Sequence, residues 1–200
     1  MDEIFTIGHS NHAPDAFLDL LSAHRVSAIA DVRSNPVSQF APHFSKGAFE
    51  TLLRDADVEY QFLGRELGAR RSEESCYVGG QAKYSLIARL PIFQSGLQRV
   101  LAGAEQYQVA LLCAEADPLA CHRTILVCRE LGKLRPGLRI THILPDGNAE
   151  SHEEAGQRLV QLHGLAHELF GNLATENGLL EEAYNRQAEK IAYRRPLEEL

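Results

Sequence analysis

The chain has 200 residues, 44% of them apolar, which suits one globular domain with a real core. Its net charge is -7, and residues 146–200 carry 5 Lys and Arg against 11 Asp and Glu, so a general nucleic-acid coat protein is excluded while a local basic groove in the first part is not. No apolar run approaches the ~20 residues of a membrane helix, the acidic start Met1-Asp2-Glu3 is unlike a signal peptide, and the scattered Cys76, Cys113, Cys121 and Cys128 read as reduced thiols of a cytoplasmic protein.

Ile4 to Ile7 reads as a first strand, followed by the turn-rich Gly8-His9-Ser10-Asn11-His12. Pro14 opens a helix whose inner side is Phe17, Leu18, Leu20 and Leu21. Val26 to Val32 is a second strand, with Asp31 and Arg33 at its end, broken by Ser34-Asn35-Pro36. Ser45 is a candidate cap for a helix that buries Phe49, Leu52 and Leu53. Val58 to Leu63 is a third strand. From Arg65 to Gln81 no period appears, and Arg65, Arg70 and Arg71 mark a long basic loop. Ser85 to Ala104 is helical, interrupted near Pro91 and Gly96. Val109 to Leu112 is a fourth strand, then a polar turn, then a helix with Ile125, Leu126, Cys128 and Leu131 inward. Leu138 to Leu144 is a fifth strand. Residues 151–200 carry helical patterns interrupted at Gly171 and Gly178.

This alternation predicts an α/β fold: an open, mostly parallel sheet of about five strands with helices on both faces, plus a helical C-terminal extension. Residues 1–150 form the domain that carries the site, and 151–200 the extension packed on it. Ligands of such sheets bind beyond the carboxyl ends of the strands. His9, Ser10, Asn11, Asp31, Arg33, Glu115, Cys121, His122 and Arg123 all fall there.

Each residue has two readings. Cys121, at a helix N-terminus beside His122 and Arg123, is either an activated nucleophile or a small packing residue. The tyrosine-phosphatase loop fails, because Val127 stands where it needs arginine. Arg123 either holds a phosphate or carboxylate in two parallel bonds or forms an internal salt bridge to Asp31 or Glu115. Asp31 and Glu115 either divide acid and base work or cap amides. His9 and His122 orient groups or move protons, and Ser10 and Asn11 contact substrate. Arg33, Arg65, Arg70 and Arg71 track a phosphate-bearing ligand, or the loop is simply solvated. His9, His12, Cys113, Cys121 and His122 are all candidate metal ligands, but no zinc-ribbon spacing, dinucleotide fingerprint or GK[ST] loop is present, so the expectation is no metal and no cofactor.

Thr6-Ile7-Gly8-His9-Ser10-Asn11, Asp31 to Ser38, Leu63-Gly64-Arg65-Glu66-Leu67-Gly68, and Cys113-Ala114-Glu115 with Cys121-His122-Arg123 resemble the domain of unknown function 488 family, over roughly residues 4 to 145. Ala69 stands where that family often has a second glycine. The resemblance implies membership and not an activity. The expected function is a cofactor-independent hydrolase acting on a nucleotide or nucleic-acid component, in its sharpest version base excision from modified DNA. The alternatives are a phosphate-ligand or DNA-binding module without turnover, and a thiol enzyme using Cys121. The expected partner is a phosphate-bearing small molecule or DNA, and not a membrane.

Overall fold

The computed structural model describes residues 3–165 and 176–196. Its elements are β1 (Glu3–Gly8), α1 (Pro14–Ala23), β2 (Ala28–Asp31), α2 (Lys46–Asp55), β3 (Glu59–Phe62), α3 (Gly64–Leu67), β4 (Tyr77–Val78), β5 (Gln81–Ala82), α4 (Tyr84–Ile87), α5 (Pro91–Ala104), β6 (Val109–Cys113), α6 (Arg129–Leu134), β7 (Arg139–Ile143), β8 (Ala149–Ser151), α7 (His152–Leu162) and α8 (Glu176–Ile191). Six strands form one sheet in the order β3-β2-β6-β1-β7-β8. The first five are parallel, and β8 runs antiparallel to β7 at the edge. The α/β fold with a mostly parallel sheet is as expected, with one additional edge strand.

Side chains alternate across each strand, so the sheet has two cores. Phe5, Ile7, Ala110 and Leu112 face α1 and α2, where they meet Phe17, Leu21, Phe49 and Leu53. Ile4, Val109, Leu111 and Cys113 face the other way, toward α5, α6, α7 and α8. β1 leaves for β2 in one direction along the sheet, and β6 leaves for β7 in the opposite direction. Neighbouring strands whose connections part in this way open a crevice at their carboxyl ends. β1 and β6 are such a pair, with Gly8 opposite Cys113.

Four local expectations change. Residues 65–81 are not irregular: α3, a short 3-10 turn at Glu74–Cys76 and the β4–β5 hairpin occupy them. These pieces are too short to show a period. Ser45 precedes α2 but does not cap it with its side chain; the hydroxyl accepts from Ser38 N at 3.1 Å. Gly96 does not interrupt α5, because it is the point where α3 packs against it; a Cβ there would lie 2.6 Å from the Cβ of Glu66. Gly178 lies within α8, whereas Gly171 is outside the described residues.

The C-terminal elements are pinned by buried polar bonds. Thr6 Oγ1 meets His142 Nδ1 at 2.8 Å, His142 Nε2 meets His152 Nδ1 at 3.1 Å, and His152 Nε2 meets Tyr184 Oη at 3.1 Å. This relay joins β1, β7, α7 and α8. Beyond α8, Tyr193 O accepts from Ala82 N at 2.9 Å, which lays the chain against the hairpin. Among the described residues, no helix is long and apolar enough to cross a membrane.

Candidate active site at the carboxyl ends of the central strands

A cleft of about 440 Å³ opens over the ends of β1, β2 and β6. His9, Cys113, Glu115 and His122 line it together with Arg33, Ser34, Asn35 and Arg70. The rings of Tyr84 and Tyr193 line it as well.

The approach of β1 to the turn after β6 is closer than a side chain permits. A Cβ on Gly8 would lie 1.8 Å from the Glu115 carbonyl oxygen. That oxygen accepts from Arg123 NH1 at 2.7 Å. Gly8→Ala must therefore push the two strands apart or break this bond. A loss of at least ~2 kcal/mol, measured by chemical denaturation, is the expected result, as for an overpacked core.

Asp31 is fully buried at the end of β2. Arg33, two residues past the end of the strand, folds back onto it, its backbone N donating to Asp31 Oδ1 at 3.0 Å. Arg33 Nε and NH2 donate to the carboxylate at 2.9 and 2.6 Å, and Tyr60 Oη donates at 2.7 Å. Arg33 NH1 also donates to Phe44 O at 2.8 Å. Asp31 is thus an anchor for Arg33 and does not line the cleft, contrary to its expected catalytic place. Arg33 does line it, with its guanidinium oriented by that carboxylate.

Arg123 is fully buried. Its donors go to Glu115 O, to Ala116 O at 3.3 Å and to Thr6 Oγ1 at 3.3 Å. Both earlier readings are corrected, since it neither faces the cleft nor pairs with Asp31 or Glu115. It ties the turn after β6 to β1. Arg71 is corrected in the same way: it donates to Glu73 and to the carbonyls of Arg65 and Glu66. Arg65 and Asn11 are exposed away from the cleft, and Ser10 is used by its backbone, with its carbonyl bonded to His9 Nδ1 at 2.9 Å. Of the expected basic loop, only Arg70 reaches the site, and its guanidinium lies 4.9 Å above the Tyr193 ring.

A π-helical turn over Arg123–Cys128 leads into α6, a widened geometry often found beside functional sites. It presents His122 between two sulfurs. His122 Nε2 bonds Val32 O at 3.0 Å, and Nδ1 lies 3.6 Å from Cys113 Sγ and 4.0 Å from Cys121 Sγ. Cys113 Sγ also donates to Glu115 Oε2 at 3.1 Å. Burial opposes ionisation of Cys121, but the hydrogen bond from Cys113 and the Arg123 and His122 charges hold its thiol well below the usual range. The same bond to Cys121, with burial, pushes Cys113 well above it. Burial and the Cys121 thiolate raise the Glu115 carboxyl. Burial works to lower His122, and the Cys121 thiolate overcomes it and raises the imidazole. Cys121 is only 1% exposed and sits behind Cys113.

His9 is buried, stacked on Phe44 at 4.5 Å, and lowered by that burial to about 4. Burial also lowers His152 to about 4 and His142 well below its ordinary value of 6.5. Three imidazoles are thus neutral in the fold where the unfolded chain takes up protons. Stability should fall as pH drops from about 6.5 toward 4, by about 2 kcal/mol per fully shifted histidine at pH 5. The raised His122 offsets part of this, because it favours the fold on the acid side. A thermal midpoint unchanged between about pH 7 and pH 5 would contradict the balance.

The model of the family described as domain of unknown function DUF488 matches residues 13–129, more than half of the chain. The chain belongs to the DUF488 family. The matched span takes in Asp31 to Arg33, Leu63 to Gly68 and Cys113 to Arg123, while Thr6 to Asn11 lies just before it. No curated protein and no solved structure matches the chain. In this DUF488 protein the sequence missed Ser34, Asn35 and Tyr193 as cleft residues. Tyr193 had one signal, an aromatic ring beside two arginines, but its place depends on a hairpin more than a hundred residues earlier in the chain.

Proposed function

We propose that this DUF488 protein is a hydrolase acting on a nucleotide or nucleic-acid component, binding its anionic part through Arg33 and Arg70 and activating water with Glu115. The observation that carries the reading is the lining of one cleft, which brings two guanidinium groups together with a carboxylate and two imidazoles. Arginine grips phosphate in two parallel bonds, and a carboxylate near water suits hydrolysis. The volume, about 440 Å³, lies within the ~300–1,000 Å³ of small-molecule sites. Tyr84 and Tyr193 offer rings on which a base can stack.

The sharpest version is base excision. An N-glycosidic bond breaks through a cationic sugar, which a carboxylate stabilises and a positioned water captures. With Nδ1 bonded to the Ser10 carbonyl, His9 keeps its Nε2 lone pair to accept a proton or orient that water. The near-complete burial of Cys121 weighs against a thiol enzyme using it.

The test is incubation with modified and unmodified DNA, nucleosides and nucleotides, followed by chromatography for released base or phosphate. Wild type should release product, and Arg70→Ala should raise KM at least ~10-fold with kcat little changed, as for loss of a charged contact made equally in ground and transition states. Thermal stabilisation by nucleotides with no product from any of them would leave a binding module instead.

A further inference from the structure

We propose that Cys113, Cys121 and His122 form a three-ligand site for a thiolate-preferring divalent metal ion of the Zn²⁺ class, with its fourth position open to the cleft. The two sulfurs and His122 Nδ1 all lie within 4.8 Å of one another. A tetrahedral zinc ion holds sulfur at ~2.3 Å and nitrogen at ~2.0–2.1 Å, which sets a sulfur–nitrogen edge of about 3.6 Å. The Cys113 edge is 3.6 Å and the Cys121 edge is 4.0 Å. Both sulfur–nitrogen edges are therefore within a few tenths of an ångström of that spacing.

A second observation concerns the far side of the ring. His122 Nε2 donates to the Val32 carbonyl at 3.0 Å, so Nδ1 is the atom left to face the sulfurs. Metal-binding histidines are characteristically fixed in this way, by a carbonyl or carboxylate on the other nitrogen. Cys121 Sγ also accepts from Arg123 N at 3.4 Å. The ligands stand on the last residue of β6 and at the two residues that lead into the following helix.

The site is not closed. Among the described residues no fourth His, Cys, Asp or Glu joins the group, and the Glu115 carboxylate accepts from Cys113 Sγ at 3.1 Å from outside it. Cys113 and His122 line the cleft. Structural zinc sites fill four positions with protein ligands; a site with three and an opening is the catalytic kind, and its metal lowers the pKa of a bound water to about 7. That last role rests on the hydrolase reading given above. The metal site itself rests on geometry alone, and it runs against the absence of zinc-ribbon spacing, because the ligands are brought together by a turn and not by a paired motif.

The test is titration of chelator-treated protein with Co²⁺ and then Zn²⁺. One Co²⁺ per chain is expected, with thiolate-to-cobalt charge transfer and the intense visible bands of tetrahedral cobalt, bleached by one equivalent of Zn²⁺. Cys113→Ser, Cys121→Ser and His122→Asn should each weaken binding by more than the ~100-fold that loss of an outer partner costs. Cys76→Ser should leave it unchanged. X-ray absorption of the zinc-loaded wild type needs no variant. It should show two sulfurs at ~2.3 Å with nitrogen or oxygen completing the shell. No uptake of either ion, or a shell of nitrogen and oxygen only, overturns the site. Metal binding with no hydrolysis of any substrate sinks the hydrolase reading alone. Hydrolysis by protein that takes up no metal sinks the metal site alone.

Discussion

Glu115→Gln is expected to lower turnover by about 10²–10⁴-fold, the usual worth of a positioned general base, and to leave the fold intact. The two halves of that expectation come from two different oxygens of one residue. The fold uses the backbone carbonyl, which accepts from the buried Arg123. The side chain is partly exposed, and its carboxylate accepts from Cys113 Sγ. Glutamine keeps the first and removes the basic oxygen of the second, so stability should stay within ~0.5 kcal/mol, as for a surface change. The measurements are kcat for released base or phosphate and the thermal midpoint. Equal turnover by wild type and variant would remove Glu115 from the chemistry. A large fall in the midpoint would show that the side chain, and not the carbonyl alone, supports the turn.

The largest effect on stability should come from Asp31. Asp31→Ala is expected to cost about 3–5 kcal/mol, the penalty for breaking a buried ion pair from one side. The carboxylate is fully buried and accepts from Arg33 N, Nε and NH2 and from Tyr60 Oη. Its loss leaves a guanidinium and a phenol without their acceptor beneath the cleft. Asp31→Leu combined with Arg33→Met removes both charges and should recover most of the loss, since apolar replacements of a buried pair are often neutral. The same double variant should lose its grip on an anionic ligand. Urea denaturation at neutral pH gives the first quantity, and nucleotide binding by calorimetry gives the second. A cost below about 1 kcal/mol for Asp31→Ala would mean that the pair is not an anchor.

These two carboxylates show how far the sequence reads. Both were placed at the ends of neighbouring strands, and both are there: β2 pairs with β6. Nothing in the one-dimensional pattern separates the spent one from the free one. Asp31 is spent because Arg33 folds back onto it just past the strand end and Tyr60 arrives from β3. Glu115 stays free because the turn that carries it is held by its carbonyls. The arginines divide by the same rule. Arg71 turns inward because Glu73 and two carbonyls take its donors, whereas Arg70, its neighbour in the chain, points to the cleft.

The sequence by itself determined the strands, most of the longer helices, the rim of the sheet at which polar groups gather, and membership of the DUF488 family. Those features follow from apolar spacing and short motifs, which are local properties of the chain. Only the tertiary structure decided which polar atoms already have partners, that Cys113 and His122 line the cleft while Cys121 and Arg123 do not, and that Tyr193 lines it too. A hydrogen bond is assigned by proximity in space, and the groups that claim Arg123 and Tyr193 are separated from them by up to more than a hundred residues of chain.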